Sequence, residues 1–270
     1  ATRWPAETHV IHIIHPREKQ RLADKVDADA WVAEYLEPRL ASVDKILDVG
    51  CGPAVLAGAA AHRFPHVQVT GLEQSDDRFA EAGQNLEALP NAGIVQGNAY
   101  AVPLGDNEFD LVYTRFMLEY LADPQAAIRE MVRVARPGGR VMLQDFDGQL
   151  VWHYPVDEQL QARVGTVLEE MAKTGFDPLI GRKLYSFTVA AGLEEIQVEA
   201  KPYHFYAGRI DEENDRLWEL KLDIALPIMQ KALGGRDQAE QLKEAFLDYL
   251  RREDTLTYSV VFTVTGVVPS

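Results

Sequence analysis

The sequence predicts an α/β fold, a mostly parallel sheet with helices on both faces, from three observations. Apolar, β-branched runs alternate with helical periodicity along the first half of the chain, at Lys45–Val49, Val67–Leu72, Ile94–Gln96 and Phe109–Thr114. The run from Phe109 to Thr114 is apolar enough to be buried on both faces, as a central parallel strand is. The first run continues through Gly50-Cys51-Gly52-Pro53 straight into an Ala-rich segment ending near Arg63, the pattern of strand, tight turn and helix.

That turn carries the first functional signal. Gly50 and Gly52 let the backbone turn sharply and approach a ligand, and Pro53 presets the backbone for a helix expected from Pro53 to Arg63. Amides left free at such a helix start favour an anionic group, a phosphate or a carboxylate. A dinucleotide site requires Gly-x-Gly-x-x-Gly, and Val55 stands where the third glycine belongs, which weakens that reading. What remains, Asp48-x-Gly50-x-Gly52-x-Ala54, resembles the first motif of class I S-adenosylmethionine-dependent methyltransferases, in which Asp-x-Gly-x-Gly-x-Gly is usual. The resemblance implies that Asp48, Gly50, Cys51 and Gly52 border the cofactor, S-adenosylmethionine; a plain strand-to-helix turn is the structural alternative.

Composition bounds the partners. With 270 residues, 47% hydrophobic and 26% charged, the chain suits one large domain or a domain with an elaborated cap. A net charge of −15 argues against a surface of clustered Lys and Arg, so neither nucleic acid nor an anionic membrane is an expected partner. No apolar run approaches a membrane span, and the N-terminus shows no signal-peptide pattern. The single cysteine, Cys51, excludes an intrachain disulfide and fits a reducing compartment, so a cytoplasmic location is expected.

Residues 1–44 precede the glycine turn. His9, His12 and His15 recur every third residue, but Val10, Ile11, Ile13 and Ile14 between them, with no acidic or cysteine partner at ligand spacing, read as a packed segment, and no metal is expected. Arg17 to Leu40 has a helical pattern broken near Asp27, with Leu22, Val26, Trp31, Val32, Tyr35 and Leu36 available for an apolar face. In the family such leading helices often cover the cofactor, so a lid is the implied role and a packing helix the alternative.

The second strand closes at Glu73, about twenty residues past the turn, where a carboxylate can accept both hydroxyls of a ribose. The resemblance makes Glu73 the ribose ligand. Gln74 follows where the family often has an apolar residue beside the adenine. Phe79, Ala82, Leu86 and Leu89 mark a helix over 76–89. After the third strand the family commonly shows Gly-Asp-Ala, and here Gly97-Asn98-Ala99 stands instead. The Asn98 amide can pair with adenine and the Ala99 backbone amide can reach a ring nitrogen; the alternative is that Asn98 is a turn residue.

The run Phe109-Asp110-Leu111-Val112-Tyr113-Thr114-Arg115-Phe116-Met117-Leu118-Glu119-Tyr120 is similar to the fourth-strand motif of the quinone and small-molecule members of the family. Thr114, Arg115 and Phe116 fall at its C-terminal end, where open α/β sheets place their ligands; Arg115 can instead brace a loop. Ile128, Met131, Val132 and Ala135 mark the next helix, Arg136-Pro137-Gly138-Gly139 ends it, and Val141–Phe146 is the fifth strand. These ordered motifs cover residues 45–146.

Beyond them, helices are expected over 157–174 and 182–191, a sixth strand over 194–206 and a seventh from Asp254 to Gly266. Between the last two strands, 207–253 shows two amphipathic patterns joined at Gly234-Gly235. The expected whole is a single domain over 1–270: a helical lid (1–44), a cofactor core (45–206), a helical cap insert (207–253) and the last strand (254–270). The resemblance implies a Rossmann-like seven-stranded, mostly parallel sheet with an antiparallel last strand. The insert is expected to cap the substrate side, or alternatively to form a homodimer interface.

The implied reaction is methyl transfer to a small-molecule acceptor by direct displacement at the sulfonium methyl. Arg115, Glu119, Asp145, Asp147, His153, Tyr154, Tyr203, His204 and Tyr206 are the polar candidates for the acceptor side, with Trp152 as a further wall. His153 is the first choice for a general base should the acceptor be a hydroxyl. Three other readings stay open: a protein methyltransferase, a protein that binds the cofactor without transferring methyl, and, last, a dinucleotide oxidoreductase.

Overall fold

The computed structural model describes residues 27–40 and 42–270 of the chain. The strands β1 (Lys45–Val49), β2 (Gln68–Glu73), β3 (Ala92–Gln96), β4 (Phe109–Arg115), β5 (Ala135–Tyr154), β6 (Glu194–Ala207) and β7 (Leu256–Val267) form one seven-stranded sheet in the order β3-β2-β1-β4-β5-β7-β6. The first five pair in parallel, and β7 lies antiparallel between β5 and β6. The strand order reverses between β1 and β4, which splays the loops after these strands apart and opens a crevice at their carboxyl ends.

The helices are α1 (Ala28–Trp31), α2 (Val55–Arg63), α3 (Asp76–Leu86), α4 (Pro124–Val134), α5 (Glu158–Ala172), α6 (Leu184–Ala190), α7 (Glu212–Leu233) and α8 (Arg236–Leu250). Successive strand residues point to opposite faces, so the central strands feed two cores at once. Leu47, Val49, Val112, Val141 and Leu143 meet Ile128, Met131 and Val134 of α4 and Leu184 of α6. Ile46, Leu111, Tyr113 and Met142 face the other way, onto Ala57, Ala60 and Ala61 of α2 and onto Trp31, Val32, Tyr35 and Leu36. Those last four residues ride on α1 and the π-helical turn Val32–Leu36 that continues it. The three alanines let α2 lie close against the sheet.

The insert forms the two helices expected of it, α7 and α8. Asp211 caps α7 by accepting from the Asn214 amide at 2.8 Å, and Gly234 ends it in the left-handed region at φ 83°. With α5 they enclose a third core of Trp218, Leu222, Met229, Leu242, Phe246 and Leu250 against Leu160, Val164 and Val167.

Three expectations differ from the structure. The helix after the glycine turn begins at Val55, not Pro53, because Ala54 takes a left-handed conformation, φ 59°, and ends the turn. The Arg136–Gly139 segment does not separate α4 from the fifth strand; β5 already begins at Ala135, and its register on β4 jumps from Phe109↔Ala135 to Leu111↔Arg140. The bulge is held because the Gly138 amide donates to the Val268 carbonyl at 2.9 Å and the Gly139 carbonyl accepts from the Val268 amide at 2.8 Å. The helix expected over 76–89 stops at Leu86, although Leu89 still packs on the α2 side. His9, His12, His15 and most of the predicted lid lie outside the described residues.

Gly50 and Gly52 both sit at positive φ, 74° and 57°, but their surroundings differ. A Cβ on Gly50 would stand 2.7 Å from Cγ and 3.3 Å from Cβ of Met117, atoms too near that residue's backbone to swing away. A Cβ on Gly52 would meet nothing within 4 Å. Gly50→Ala is therefore expected to cost about 2–4 kcal/mol and Gly52→Ala about 1–2 kcal/mol in denaturant unfolding. Equal losses would show that Met117 yields at no cost.

Candidate functional site

The turn commits its own amides. The Gly50 and Cys51 amides both donate to the Leu72 carbonyl, at 2.9 and 3.1 Å, and the Gly52 amide donates to Glu73 Oε2 at 2.9 Å. An anion cannot take the 50–52 amides without displacing these bonds. The donors left are the first-turn amides of α2, Val55 to Ala57, on a helix whose N-terminus has no side-chain cap. The Cys51 thiol is pushed up by burial and is no nucleophile.

Asp48 is buried and accepts from the Tyr113 hydroxyl at 2.8 Å. Burial outweighs that bond and lifts its carboxyl to about 7. Glu73 is also buried, at the carboxyl end of β2, where Oε1 accepts from the Gln74 and Ser75 amides at 3.0 and 2.9 Å. Three backbone amides thus aim this carboxylate along the sheet edge, and Oε2 retains one acceptor position. The Gln74 side chain is exposed. Asn98 Oδ1 accepts from the Tyr100 amide at 2.8 Å, the geometry of a turn residue, so only the side-chain NH2 group remains to meet a ligand. Ala99 follows, partly buried.

At the end of β4 the expected residues separate by role. Thr114 is fully buried and donates its hydroxyl to the Val49 carbonyl at 2.8 Å, tying β4 to β1 and leaving it no reach toward a ligand. Arg115 lies with its guanidinium over the rings of Phe116, at 4.0 Å, and Trp31, at 5.8 Å, and donates through Nε to Gln144 Oε1 at 3.0 Å. Among the described residues no carboxylate stands within ion-pair distance of it. Burial pulls its pKa down. Gln144, which the sequence reasoning missed, joins four elements: Oε1 also accepts from Trp31 Nε1 at 2.8 Å, and Nε2 donates to Thr263 Oγ1 at 2.7 Å. A glutamine inside an apolar strand run was the available signal, since such an amide must find partners.

Beyond Arg115 the rings form a column. Phe116 stacks on Phe146 at 3.9 Å, and Phe146 lies parallel to His204 at 5.6 Å with Tyr203 edge-on at 5.0 Å. Trp218 of α7 follows His204 at 5.3 Å, under the Lys221 ammonium at 4.5 Å. Phe116 and His204 hold φ values of 53° and 43°, rare for bulky side chains. Beside the column, Glu119 and Asp145 are both buried. Asp145 Oδ2 accepts from the Glu119 amide at 3.1 Å, and Oδ1 from the Phe146 amide at 2.8 Å. Burial and their mutual repulsion hold the Glu119 carboxyl well above the ordinary range, and burial lifts Asp145 to about 7.

The remaining candidates lie elsewhere. His153 pairs with Thr257 and Asp145 with Phe262, five residues apart on β7, about 17 Å along the strand. There His153 contacts Thr257 Oγ1 at 2.9 Å and meets Phe246 and Tyr249 edge-on beneath α8. The structure does not bring it to the cofactor edge. Trp152 stacks on Tyr258 at 6.4 Å below Arg182, and Tyr154 is 72% exposed, because both alternate onto the sheet face opposite the insert. Tyr206 is spent within the insert contact, accepting from Trp218 Nε1 at 3.1 Å and donating to Asn214 Oδ1 at 3.2 Å. Asp147 forms a two-pronged ion pair with Arg182 at 2.7 and 2.8 Å.

The raised carboxyls set a pH dependence. Above the ordinary carboxylate range and below about pH 7, the folded chain keeps protons on Asp48 and Asp145 that the unfolded chain has released, so these groups make stability fall as pH rises through that window. Asp48→Asn keeps an oxygen for the Tyr113 hydroxyl and cannot ionise. It is expected to gain stability relative to the unsubstituted chain by on the order of 1–2 kcal/mol between pH 5 and pH 7. Denaturation midpoints at the two pH values read it; a constant difference would remove Asp48 as the proton holder.

The comparisons with known proteins agree with this geometry. A family described as a methyltransferase domain matches residues 47–143, from β1 into β5. An uncharacterised methyltransferase of Schizosaccharomyces pombe is 32% identical over 206 residues, 70% of each chain. A demethylmenaquinone methyltransferase of Bacillus mycoides is 38% identical over 142 residues, 46% of this chain and 58% of that one, so this chain spans less than two thirds of that relative. The fold is similar to a Haemonchus contortus phosphoethanolamine N-methyltransferase solved with phosphomonomethylethanolamine and S-adenosylhomocysteine, at a TM-score of 0.54 and 18% identity over 84% of this chain and 49% of that one. No helix among the described residues is long and apolar enough to cross a membrane. Identity of 32% across 70% of a named methyltransferase, on a sheet of this order with a glycine turn after its first strand, makes the chain a member of the class I S-adenosylmethionine-dependent methyltransferases.

Proposed function

We propose that the chain transfers the methyl group of S-adenosylmethionine to a small-molecule acceptor held between the N-terminal segment and the insert 207–253. The observation that carries this reading is Glu73. Its buried carboxylate is aimed by three backbone amides along the carboxyl edge of the sheet, beside a Gly52 whose missing side chain would face open space.

The donors present fit the cofactor. Glu73 Oε2 has an acceptor position for a ribose hydroxyl, the Asn98 NH2 group and the Ala99 amide suit an adenine edge, and Arg115 with the first turn of α2 suits a carboxylate. The cofactor supplies a methyl carbon already activated by a sulfonium. What falls to the protein is alignment of the nucleophile and exclusion of water. Trp31 closes one side through its bond to Gln144, and Trp218 and Lys221 of the insert close the other against His204. Walls on both sides favour a small acceptor over a polymer. The name of the demethylmenaquinone relatives also points to a small molecule.

Calorimetric titration tests the reading. Micromolar binding of S-adenosylmethionine and S-adenosylhomocysteine is expected, with none of NAD, and Glu73→Ala is expected to weaken both by about 1–3 kcal/mol through loss of charge-assisted hydrogen bonds. Unchanged affinity in that variant would remove Glu73 from the ribose. No binding of either sulfur ligand would remove the whole reading.

A further inference from the structure

Glu119 presents the anomaly. Its Oε2 is the buried side-chain oxygen that has no hydrogen-bond partner among the described residues, and the residue is 1% exposed. A buried carboxyl oxygen left without a partner costs the fold its desolvation, so its retention beside the ligand end of the sheet calls for a function. It sits one turn past Arg115 in the 3-10 turn Leu118–Tyr120, and its amide is bonded to Asp145 beside Phe146 of the ring column. A hydroxyl or amine brought against Oε2 would complete its hydrogen bonding.

The charges around the column select what that group is. Arg115 lies over one end and Lys221 over the other, 3.4 Å from His204 Nε2. Two fixed cations, with a sulfonium bound beside them, repel an ammonium acceptor and stabilise one that turns anionic as it reacts. Phe116, Phe146 and His204 stack on one another, so what they offer a ligand is an aromatic wall of ring edges, which suits an apolar, ring-bearing acceptor. The two histidines are engaged otherwise: His204 Nδ1 contacts Ser259 Oγ at 3.2 Å, and His153 is held under α8.

We propose that Glu119, backed by Asp145, is the proton acceptor for a hydroxyl on a planar-ring acceptor, which makes this chain an oxygen methyltransferase; the inference rests on the cofactor reading above. The acceptor O–H bond breaks and its proton passes to Glu119 Oε2. The oxygen pair forms the O–CH3 bond as the C–S bond breaks, its electron pair staying on sulfur. Facing Glu119 are Asp145 from β5, Asp177 from the loop after α5, Lys221 from α7 and its neighbour Tyr120, whose side chain hydrogen-bonds the same carboxyl; Asp145 also feels Arg115. Burial keeps the Glu119 carboxyl high, so the rate is expected to rise with pH as the pair loses its proton, and Lys221→Met, which removes a charge that favours ionisation, is expected to move that rise to higher pH.

The test uses 2-naphthol, 2-methoxynaphthalene and 2-naphthylamine on the full chain, after calorimetry has established S-adenosylhomocysteine binding in the same sample. Failure at that first step counts against the cofactor reading, not against Glu119. On the loaded protein, 2-naphthol is expected to bind about tenfold tighter than 2-methoxynaphthalene, which has no proton to donate, and Glu119→Leu is expected to erase the preference. An apolar side chain in place of a desolvated carboxyl costs the fold little, which keeps this variant measurable. With S-adenosylmethionine, 2-naphthol is expected to yield its methyl ether, and Glu119→Gln to lower kcat by about 10²–10⁴-fold with KM within threefold. Equal binding of the two naphthalenes, binding of neither, nitrogen or ring-carbon methylation in place of the ether, or an undiminished kcat in Glu119→Gln each overturns the proposal.

Discussion

One carbonyl holds the functional end of the sheet together. Leu72 O receives the amides of both Gly50 and Cys51, and the next amide, Gly52, goes to Glu73. The turn after β1 is thereby locked onto the end of β2. The lock fixes where Glu73 points and occupies the turn's own amides, leaving the first turn of α2 and the Arg115 guanidinium as the positive groups nearby. The torsions of Gly50, at φ 74°, lie between the two amides that share this acceptor.

Gln144 performs a comparable service on the other side. Its amide accepts from Trp31 and Arg115 and donates to Thr263, so the N-terminal segment, β4, β5 and β7 meet at one buried side chain. Arg39 reinforces the same closure by donating to the Tyr35 carbonyl at 2.7 Å and pairing with Glu199 of β6 at 2.8 Å. Buried networks of this kind keep their members in one arrangement because each unpaired group would cost more than the bond it makes. A cation at 115 can therefore stay in place without a carboxylate beside it.

Three buried carboxyls, Asp48, Glu119 and Asp145, lie near the carboxyl ends of β1 and β4 and at the point where β5 leaves its pairing with β4. Each is raised chiefly by burial, and a set of this kind in one crevice is a common mark of a site that handles protons. Asp48 has its bond from Tyr113 and braces the core, whereas Glu119 keeps an oxygen unsatisfied. The insert matters to this balance because Lys221, on α7, is the positive group that faces Glu119 from across the crevice.

The sequence by itself determined the fold and the cofactor class. The Gly50-Cys51-Gly52 spacing, Glu73 at the close of the second strand, the doubly buried run 109–114 and the paired helices of 207–253 each state a local requirement of backbone geometry or burial that one pattern satisfies. Tertiary structure decided who serves the site. Whether Thr114 faces a ligand or the Val49 carbonyl and whether His153 reaches the reaction depend on strand register and on partners more than fifty residues away in the chain, whereas Asn98 gives up its oxygen locally, to the Tyr100 amide two residues on. Gln144 and Lys221 escaped notice for the same reason: a side chain's role is set by what is brought against it, and separate elements converge only in the folded chain.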